Sequence, residues 1–347
     1  MAEFCNLYEI VIPGCMRSAK FIILLLAFGL LACPFYGYKY PHGKLPDVPV
    51  NLEDFNSEYD DYNSTAPILG RVIPFCFSTN RHSQGGDYNI LYTPMNVEFS
   101  KTSGELHVSN DYGFWGSYKE AYYAMVGAIR KVNTTANELG PNVLYKPYDV
   151  FADADLVVVY ANDEGGDFDI RYTCNQDGGE FTDPLPVVFL NSAFDDLYPA
   201  FDSGFSQLYF CSDREDGVFN IFSVEVDYAG DSMVRILSAA EAGPVQKDVV
   251  LSSEADDKCP YIFENTLVFA SDRPGGYGGY DLYYSLFEDG TWSAPVNFGP
   301  AINSSHDEYR PILFEEDVDR DRDMMVFSSN RPGGQGGFDL YFVGVME

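Results

Sequence analysis

Two sequence elements recur five times in this chain in fixed order, and their spacing limits what it can fold into. The first is a polar turn leading into an apolar run: "FNSEYDDYNSTAPIL" from Phe55, "VNTTANELGPNVL" from Val132, "LNSAFDDLYPAF" from Leu190, "LSSEADDKCPYI" from Leu251 and "INSSHDEYRPIL" from Ile302. Each holds a small polar pair, an acidic or amide pair, and a proline opening the apolar run. The second is an apolar stretch, a glycine-containing turn, and an aromatic residue followed by Asp or Asn. Its copies are "CFSTNRHSQGGDYNIL" from Cys76, "VYANDEGGDFDIRY" from Val159, "YFCSDREDGVFNIF" from Tyr209, "SDRPGGYGGYDLYY" from Ser271 and "SNRPGGQGGFDLYF" from Ser329.

The repeat prolines, Pro67, Pro141, Pro199, Pro260 and Pro311, lie 74, 58, 61 and 51 residues apart. That is the size of a four-stranded antiparallel blade and too long for most helical repeats. An aromatic content of 16% also favours strands. In the clearest copy, strand a follows Pro260, b is "TLVFAS" from Thr266, c is "YDLYYSLF" from Tyr280 and d lies near "APVNF" from Ala294; Asp289-Gly290 signals a tight hairpin after c. The last copy runs out at Glu347 without a fourth strand. The missing strand is found at the other end, where "PVNLEDFNSEYDD" from Pro49 parallels "PVNFGPAINSSHDE" from Pro295. The expectation is an all-β propeller of five four-stranded antiparallel blades over residues 49–347, closed by the N-terminal strand so that no sheet edge is left open. The long first interval holds an insertion near 101–131, with a helix-like "GSYKEAYYAMVGAIRKV" from Gly116; a degenerate sixth blade there is the alternative.

These repeats resemble the WD40-like β-propeller repeats of TolB-type propellers and of many bacterial envelope proteins, with Phe269 to Tyr283 and Phe327 to Tyr341 nearest that pattern. The resemblance covers about residues 49–347. It implies a role in protein interactions, and it implies six blades where this chain counts five.

Alternating strand direction brings the acidic pairs and the arginine turns to the same end of the propeller. Arg81, Arg214, Arg273 and Arg331 are therefore expected to meet the carboxylates of Asp60, Asp61, Asp195, Asp196, Asp256, Asp257, Asp307 and Glu308 as a latch repeated from blade to blade. A phosphate cradle is disfavoured because the turn lacks the following helix and the lysine of a P-loop. Asp281 and Asp339 are candidates to accept turn amides.

Basic residues number 21 against 53 acidic ones, a formal charge of −32, which argues against nucleic acid as a partner. Residues 1–33 read as a signal region. Arg17 and Lys20 precede the twelve apolar residues from Phe21 to Ala32, too short a run to span a bilayer. Leu30-Leu31-Ala32-Cys33 resembles a bacterial lipobox with Cys33 as the lipidated residue, Met16 as the start and residues 34–48 as a tether; an ordinary cleaved signal is the alternative. Cys76, Cys174, Cys211 and Cys259 match no zinc spacing. Asp317, Asp319 and Asp321 alternate as in part of a calcium loop, without the glycine and distal glutamate that would complete it. No other cofactor is indicated.

The function expected from these features is a non-catalytic, lipid-anchored envelope propeller binding an envelope protein or polymer, on the bacterial outer membrane. The alternative is a carbohydrate-active propeller, glycan-binding or hydrolytic, for which Asp202, Glu264 and Glu315 at the ends of a strands are candidate central carboxylates. An acidic channel ringed by exposed aromatics would favour the alternative. A broad polar face with available arginines would favour the first reading.

Overall fold

The computed structural model describes residues 39–40, 43–66, 73–111, 119–145, 156–175, 179–202, 204–226, 233–314 and 322–345. Five antiparallel sheets form a five-bladed propeller. After the short β1 (Val50–Asn51), blade 1 comprises β2 (Asp61–Thr65), β3 (Ile73–Thr79), β4 (Asn89–Phe99) and β5 (Leu106–Ser109). Helix α1 (Lys119–Val132) leads to blade 2: β6 (Glu138–Tyr145), β7 (Leu156–Asn162), β8 (Asp169–Cys174) and β9 (Leu185–Pro186). Blade 3 holds β10 (Asp196–Phe201), β11 (Gln207–Ser212), β12 (Asn220–Glu225), helix α2 (Met233–Leu237) and β13 (Gln246–Lys247). Blade 4 holds β14 (Asp257–Phe263), β15 (Thr266–Ser271), β16 (Asp281–Glu288), the hairpin extension β17 (Thr291–Trp292) and the outer β18 (Val296–Asn297). Blade 5 is β19 (Glu308–Phe314), β20 (Asp323–Ser329) and β21 (Asp339–Val345), completed by β1.

Ring closure is thus made by the N-terminal segment: Val50 pairs with Phe342 and Asn51 with Tyr341. The closure extends upstream, where buried Leu45 packs in the core beside β21 and the Gly344 amide bonds the Pro46 carbonyl. The amides of Lys39, Tyr40 and Lys44 bond the carbonyls of Lys101 and Gly104 in the β4–β5 hairpin, at the end of the propeller where c strands finish. The region near 101–131 contributes the outer strand of blade 1 and then α1, whose Met125, Ala128 and Val132 join the core between blades 1 and 2. It holds no sixth blade among the described residues.

The inner strands β2, β6, β10, β14 and β19 each abut the next around the axis. They begin earlier than the prolines suggest. Each opens on the second residue of the acidic pair, and in blades 2 to 5 the proline lies inside the bulge that follows. The bulged residues Asn63, Gly140, Tyr198, Cys259 and Arg310 all have φ between 47 and 59°. An extra residue in the left-handed region re-aims one side chain per blade. Gly140 has no side chain to place, and the ring of Tyr198 lies where its Cβ would be. The Arg310 guanidinium reaches the carbonyls of Pro141 and Pro260, each at 3.4 Å, and lies 5.4 Å from the Tyr198 ring centroid. It spans from blade 5 to blades 2, 3 and 4 and plugs the axis. Cys76, Cys174, Cys211 and Cys259 are buried and unbridged, and burial pushes the Cys259 thiol up to about 12.

The β16–β17 hairpin turns on Asp289 and Gly290, both with positive φ, as the two-residue primed turn requires. Deleting residues through Asn51 leaves β21 with an open edge and removes Leu45 from the core; the melting midpoint should fall by at least about 5 °C and the protein should aggregate on heating. A scanning-calorimetry midpoint equal to that of the full chain would show that the ring closes without this strand.

Candidate functional site

Because b–c turns and d–a loops leave the same end, the repeat places its polar residues there, and each member of the acidic pair has its own task. The second member, the first residue of the inner strand, is fully buried: Asp61, Asp196, Asp257 and Glu308 are each 0% exposed. Arg81 meets Asp61 at 2.6 Å, Arg214 meets Asp196 at 2.5 Å, Arg273 meets Asp257 at 2.5 Å and Arg331 meets Glu308 at 2.9 Å. Each guanidinium also donates to a carbonyl of the d–a loop, that of Phe55, Leu190, Leu251 or Ile302. Each lies about 5 Å from a ring of its own blade, as Arg273 does from Phe269 and Tyr283. Each carboxylate also accepts from the amide and hydroxyl of the residue four before it, Ser57, Ser192, Ser253 or Ser304, and Glu308 further from the Ser329 hydroxyl. The arginines are therefore consumed internally.

Blade 2 departs from this pattern. Glu138 occupies the buried acid's place, but Glu164 stands where the other blades have arginine, and among the described residues Glu138 makes no ion pair. Its oxygens accept from Thr134, Asn162 and Asn89 instead. Burial raises its pKa, and these hydrogen bonds only partly oppose the rise.

The first members, Asp60, Asp195, Asp256 and Asp307, with Asn137 in blade 2, face the preceding blade. Their side-chain oxygens accept the amides of Phe338, Phe168, Phe219, Tyr280 and Tyr88 at 2.9–3.0 Å. The carbonyls of the same five residues accept the amides of Asp61, Asp196, Asp257, Glu308 and Glu138 at 2.7–2.8 Å. Both backbone groups of each aromatic are thus held by the neighbouring blade. Of these half-buried rings, Tyr88, Phe168 and Phe219 pack against one central cluster, and Tyr280 and Phe338 join it through Tyr309 and Tyr62, which makes a collar around the axis. Tyr62 packs 4.9 Å from Tyr88 and 5.8 Å from Phe338, and Tyr309 packs 5.2 Å from Tyr280 and 6.5 Å from Phe338. The Lys258 ammonium sits 4.0 Å from the Phe219 centroid, 5.3 Å from that of Tyr280 and 3.0 Å from Asp256. Leu139 and Leu197 fill the remaining side.

The collar also carries polar groups. Tyr88 donates its hydroxyl to Asp60 at 2.6 Å, and Tyr280 donates to Asp256 at 2.7 Å. Burial first, then these carboxylates, raises both phenols, so they remain protonated donors. The recurring aromatic before Asp or Asn was visible in the sequence, but its convergence was not. Arg310 gave a fainter signal, as the one arginine in the slot before a repeat proline.

Other candidates lie elsewhere. Asp281 accepts the amides of Tyr277 and Gly278, and Asp339 those of Gln335 and Gly336, which closes the glycine turns. Gly336 must lack a side chain, because a Cβ would strike the Tyr59 carbonyl of the adjoining loop. Asp202 is corrected as a channel residue: it caps the β10–β11 turn by accepting from Ser206 and Gln207. Glu264 is exposed in the β14–β15 turn, also at the far end from the collar. Glu315, the alternating Asp317, Asp319 and Asp321, and Cys33 lie outside the described residues. No cluster of three or more metal-ligating side chains occurs among the described residues.

No family model matches the sequence, and no curated protein matches it. Solved structures similar to it include an α-L-arabinofuranosidase from Podospora anserina, at 10% identity and TM-score 0.49 over 88% of this chain and 97% of that one. Another is the catalytic domain of a Coprinopsis cinerea GH62 α-L-arabinofuranosidase, at 12% identity and TM-score 0.46 over 88% and 97%. A putative TolB from Agrobacterium tumefaciens has 12% identity and TM-score 0.39 over 86% and 90%. At these identities the likeness is one of fold alone. The expected non-catalytic, interaction-only role is corrected on the geometry: the arginines it needed on an open face, Arg81, Arg214, Arg273 and Arg331, are each locked onto a buried acid.

The latch energetics are directly measurable. Arg331→Ala would strand the buried Glu308 carboxylate and should cost about 2–4 kcal/mol in urea melts. Wild-type stability would show the pair to be dispensable. Glu138 has the opposite sign: its folded pKa lies above the unfolded one, so its contribution favours folding below the unfolded carboxyl range and is lost as pH rises through the folded value. Glu138→Gln should therefore be more stable than the parent near pH 7, with the difference closing as the pH falls towards about 4. A variant less stable than the parent at neutral pH would refute this account of Glu138.

Proposed function

We propose that this protein is a carbohydrate-active propeller that holds a saccharide on the aromatic collar at the axis. The observation that supports this most is the set of five inward-facing rings, Tyr88, Phe168, Phe219, Tyr280 and Phe338, with carboxylates at its rim. A sugar ring offers an apolar C–H face, which aromatic side chains cover, and hydroxyl donors, which Asp60 and Asp256 can accept. Because the neighbouring blade fixes each collar backbone on both sides, little ordering entropy is lost when a ligand docks.

In titration calorimetry against an oligosaccharide panel, Tyr280→Ala and Phe338→Ala should each weaken binding roughly tenfold, the usual cost of truncating a central aromatic contact. Binding that is unchanged in both variants, or absent across the panel, would defeat the assignment.

We further propose that residues 1–33 are a lipoprotein signal region and that Cys33, lipidated as the mature N-terminus, anchors the chain in a bacterial envelope. Lys39, Tyr40 and Lys44 bond the β4–β5 hairpin at the end of the propeller opposite the collar, so an anchored molecule would hold the collar away from the membrane. Cys33→Ser should then move the protein from the membrane to the soluble fraction, and equal partition of mutant and parent would exclude the anchor.

A further inference from the structure

The bulge of blade 5 buries a cation that the protein's own acids leave unpaired. Arg310 is 0% exposed beneath the collar, and a guanidinium, unlike a lysine or a histidine, does not shed its charge on burial. Its Nη1 and Nη2 reach the carbonyls of Pro260 and Pro141 only at 3.4 Å, long for a charged donor, and its Nε has no hydrogen-bond partner. Among the described residues it makes no ion pair, because the acids of the inner strands are spent elsewhere. Glu308, on the same strand, is held by Arg331, Ser304 and Ser329. Asp61, Asp196 and Asp257 are held by their own arginines, and Asp256 has Lys258.

The groups around Arg310 do not supply the missing negative charge either. Burial raises the Cys259 thiol to about 12 and holds Cys211 and Tyr198 well above their ordinary values, and the nearby Arg310 charge only partly opposes this. All three stay neutral. The same layer has further unmet polar atoms. Asn63, the bulge residue of blade 1, donates to the Tyr198 hydroxyl at 3.3 Å, while its Oδ1 is buried without a partner. Having accepted that bond, the Tyr198 hydroxyl finds no acceptor for its own proton among the described residues. Exchanging the amide oxygen and nitrogen of Asn63 would satisfy the hydroxyl and free an amide N–H instead, so this pair has a donor to spare in either orientation. The ring of the same Tyr198 lies 5.4 Å from the Arg310 guanidinium.

We propose that Arg310 binds a chloride-sized monovalent anion on the propeller axis, with the Tyr198–Asn63 pair as a further donor. A cation taken out of water without a counter-ion is strongly destabilising, and one guanidinium calls for one negative charge; a divalent oxyanion would bring a second, uncompensated charge into the interior. Arg310, Asn63, Cys259 and Tyr198 are all at most 4% exposed, so the site is sealed from a ligand lying on the collar. The inference is therefore independent of the saccharide reading. Arg310, Tyr198 and Asn63 come from blades 5, 3 and 1, and the carbonyls on the guanidinium come from blades 2 and 4, so a single ion there stabilises the closed ring as a whole.

The test uses the full chain, dialysed free of halide and melted thermally in sodium chloride and in sodium gluconate at equal ionic strength. The gluconate anion is too large for a sealed axis. Arg310→Met, melted in the same two salts, removes general salt effects from the comparison. Chloride should raise the midpoint of the full chain by at least about 2 °C beyond any change in the variant, and the gain should grow with chloride concentration. Crystals of the full chain grown in sodium bromide should show an anomalous-scattering peak in contact with the Arg310 guanidinium, a readout that does not depend on the variant folding. A chloride response of equal size in the full chain and in Arg310→Met overturns the site. Bromide found on the surface but not at Arg310, an adventitious ion only, overturns it as well, and where the variant fails to fold the bromide position decides.

Discussion

A carboxylate buried at the head of each inner strand is the interaction on which the rest of this propeller depends. Removing a charge from water costs several kcal/mol unless its oxygens are fully engaged, so every such acid forces other groups into place. Asp257 shows how: Arg273, the Ser253 amide and the Ser253 hydroxyl converge on it, and Arg273 continues to the Leu251 carbonyl. One group thereby fixes the b–c turn, the d–a loop and the start of the inner strand relative to one another.

The residue just before that acid carries the order into the next interface. By holding the amide of an aromatic in the preceding blade, Asp60, Asn137, Asp195, Asp256 and Asp307 convert five separate sheets into a ring with a defined axis. The collar is a by-product of this stitching, since the stitched residue in every blade is aromatic. A collar built in this way is held by the interblade contacts themselves. Blade 2 shows which parts can vary: Asn137 keeps the stitch, whereas Glu138 has exchanged its arginine for neutral donors. The stitch needs an acceptor, and an amide serves as well as a carboxylate. The latch needs donors, and a cation is one solution among several.

Much of this was legible because repetition exposes whatever each blade needs. The strand count, the closing strand and the proximity of arginine turns to acidic pairs follow from spacing and alternation, which are properties of the backbone. The division of labour within each acidic pair was not legible. Residues adjacent in a strand point to opposite sides, so two neighbouring acids that look equivalent in sequence face an arginine in one case and another blade in the other. The prolines misled about where inner strands begin, since a bulge lets the ladder start three residues earlier. The place of Arg310 depends on which side chains the bulges turn inward.

The sequence by itself determined a closed propeller with five counted repeats, because hydrogen-bonded edges must be satisfied and a matching strand is present near the other end of the chain, while the choice of five blades over six was left to the structure. Only the tertiary structure decided that the arginines serve the interior and that the aromatics form a collar. Those outcomes depend on the angle at which five blades meet around an axis. Residues from five distant turns, Tyr88, Phe168, Phe219, Tyr280 and Phe338, become neighbours only when the ring has closed.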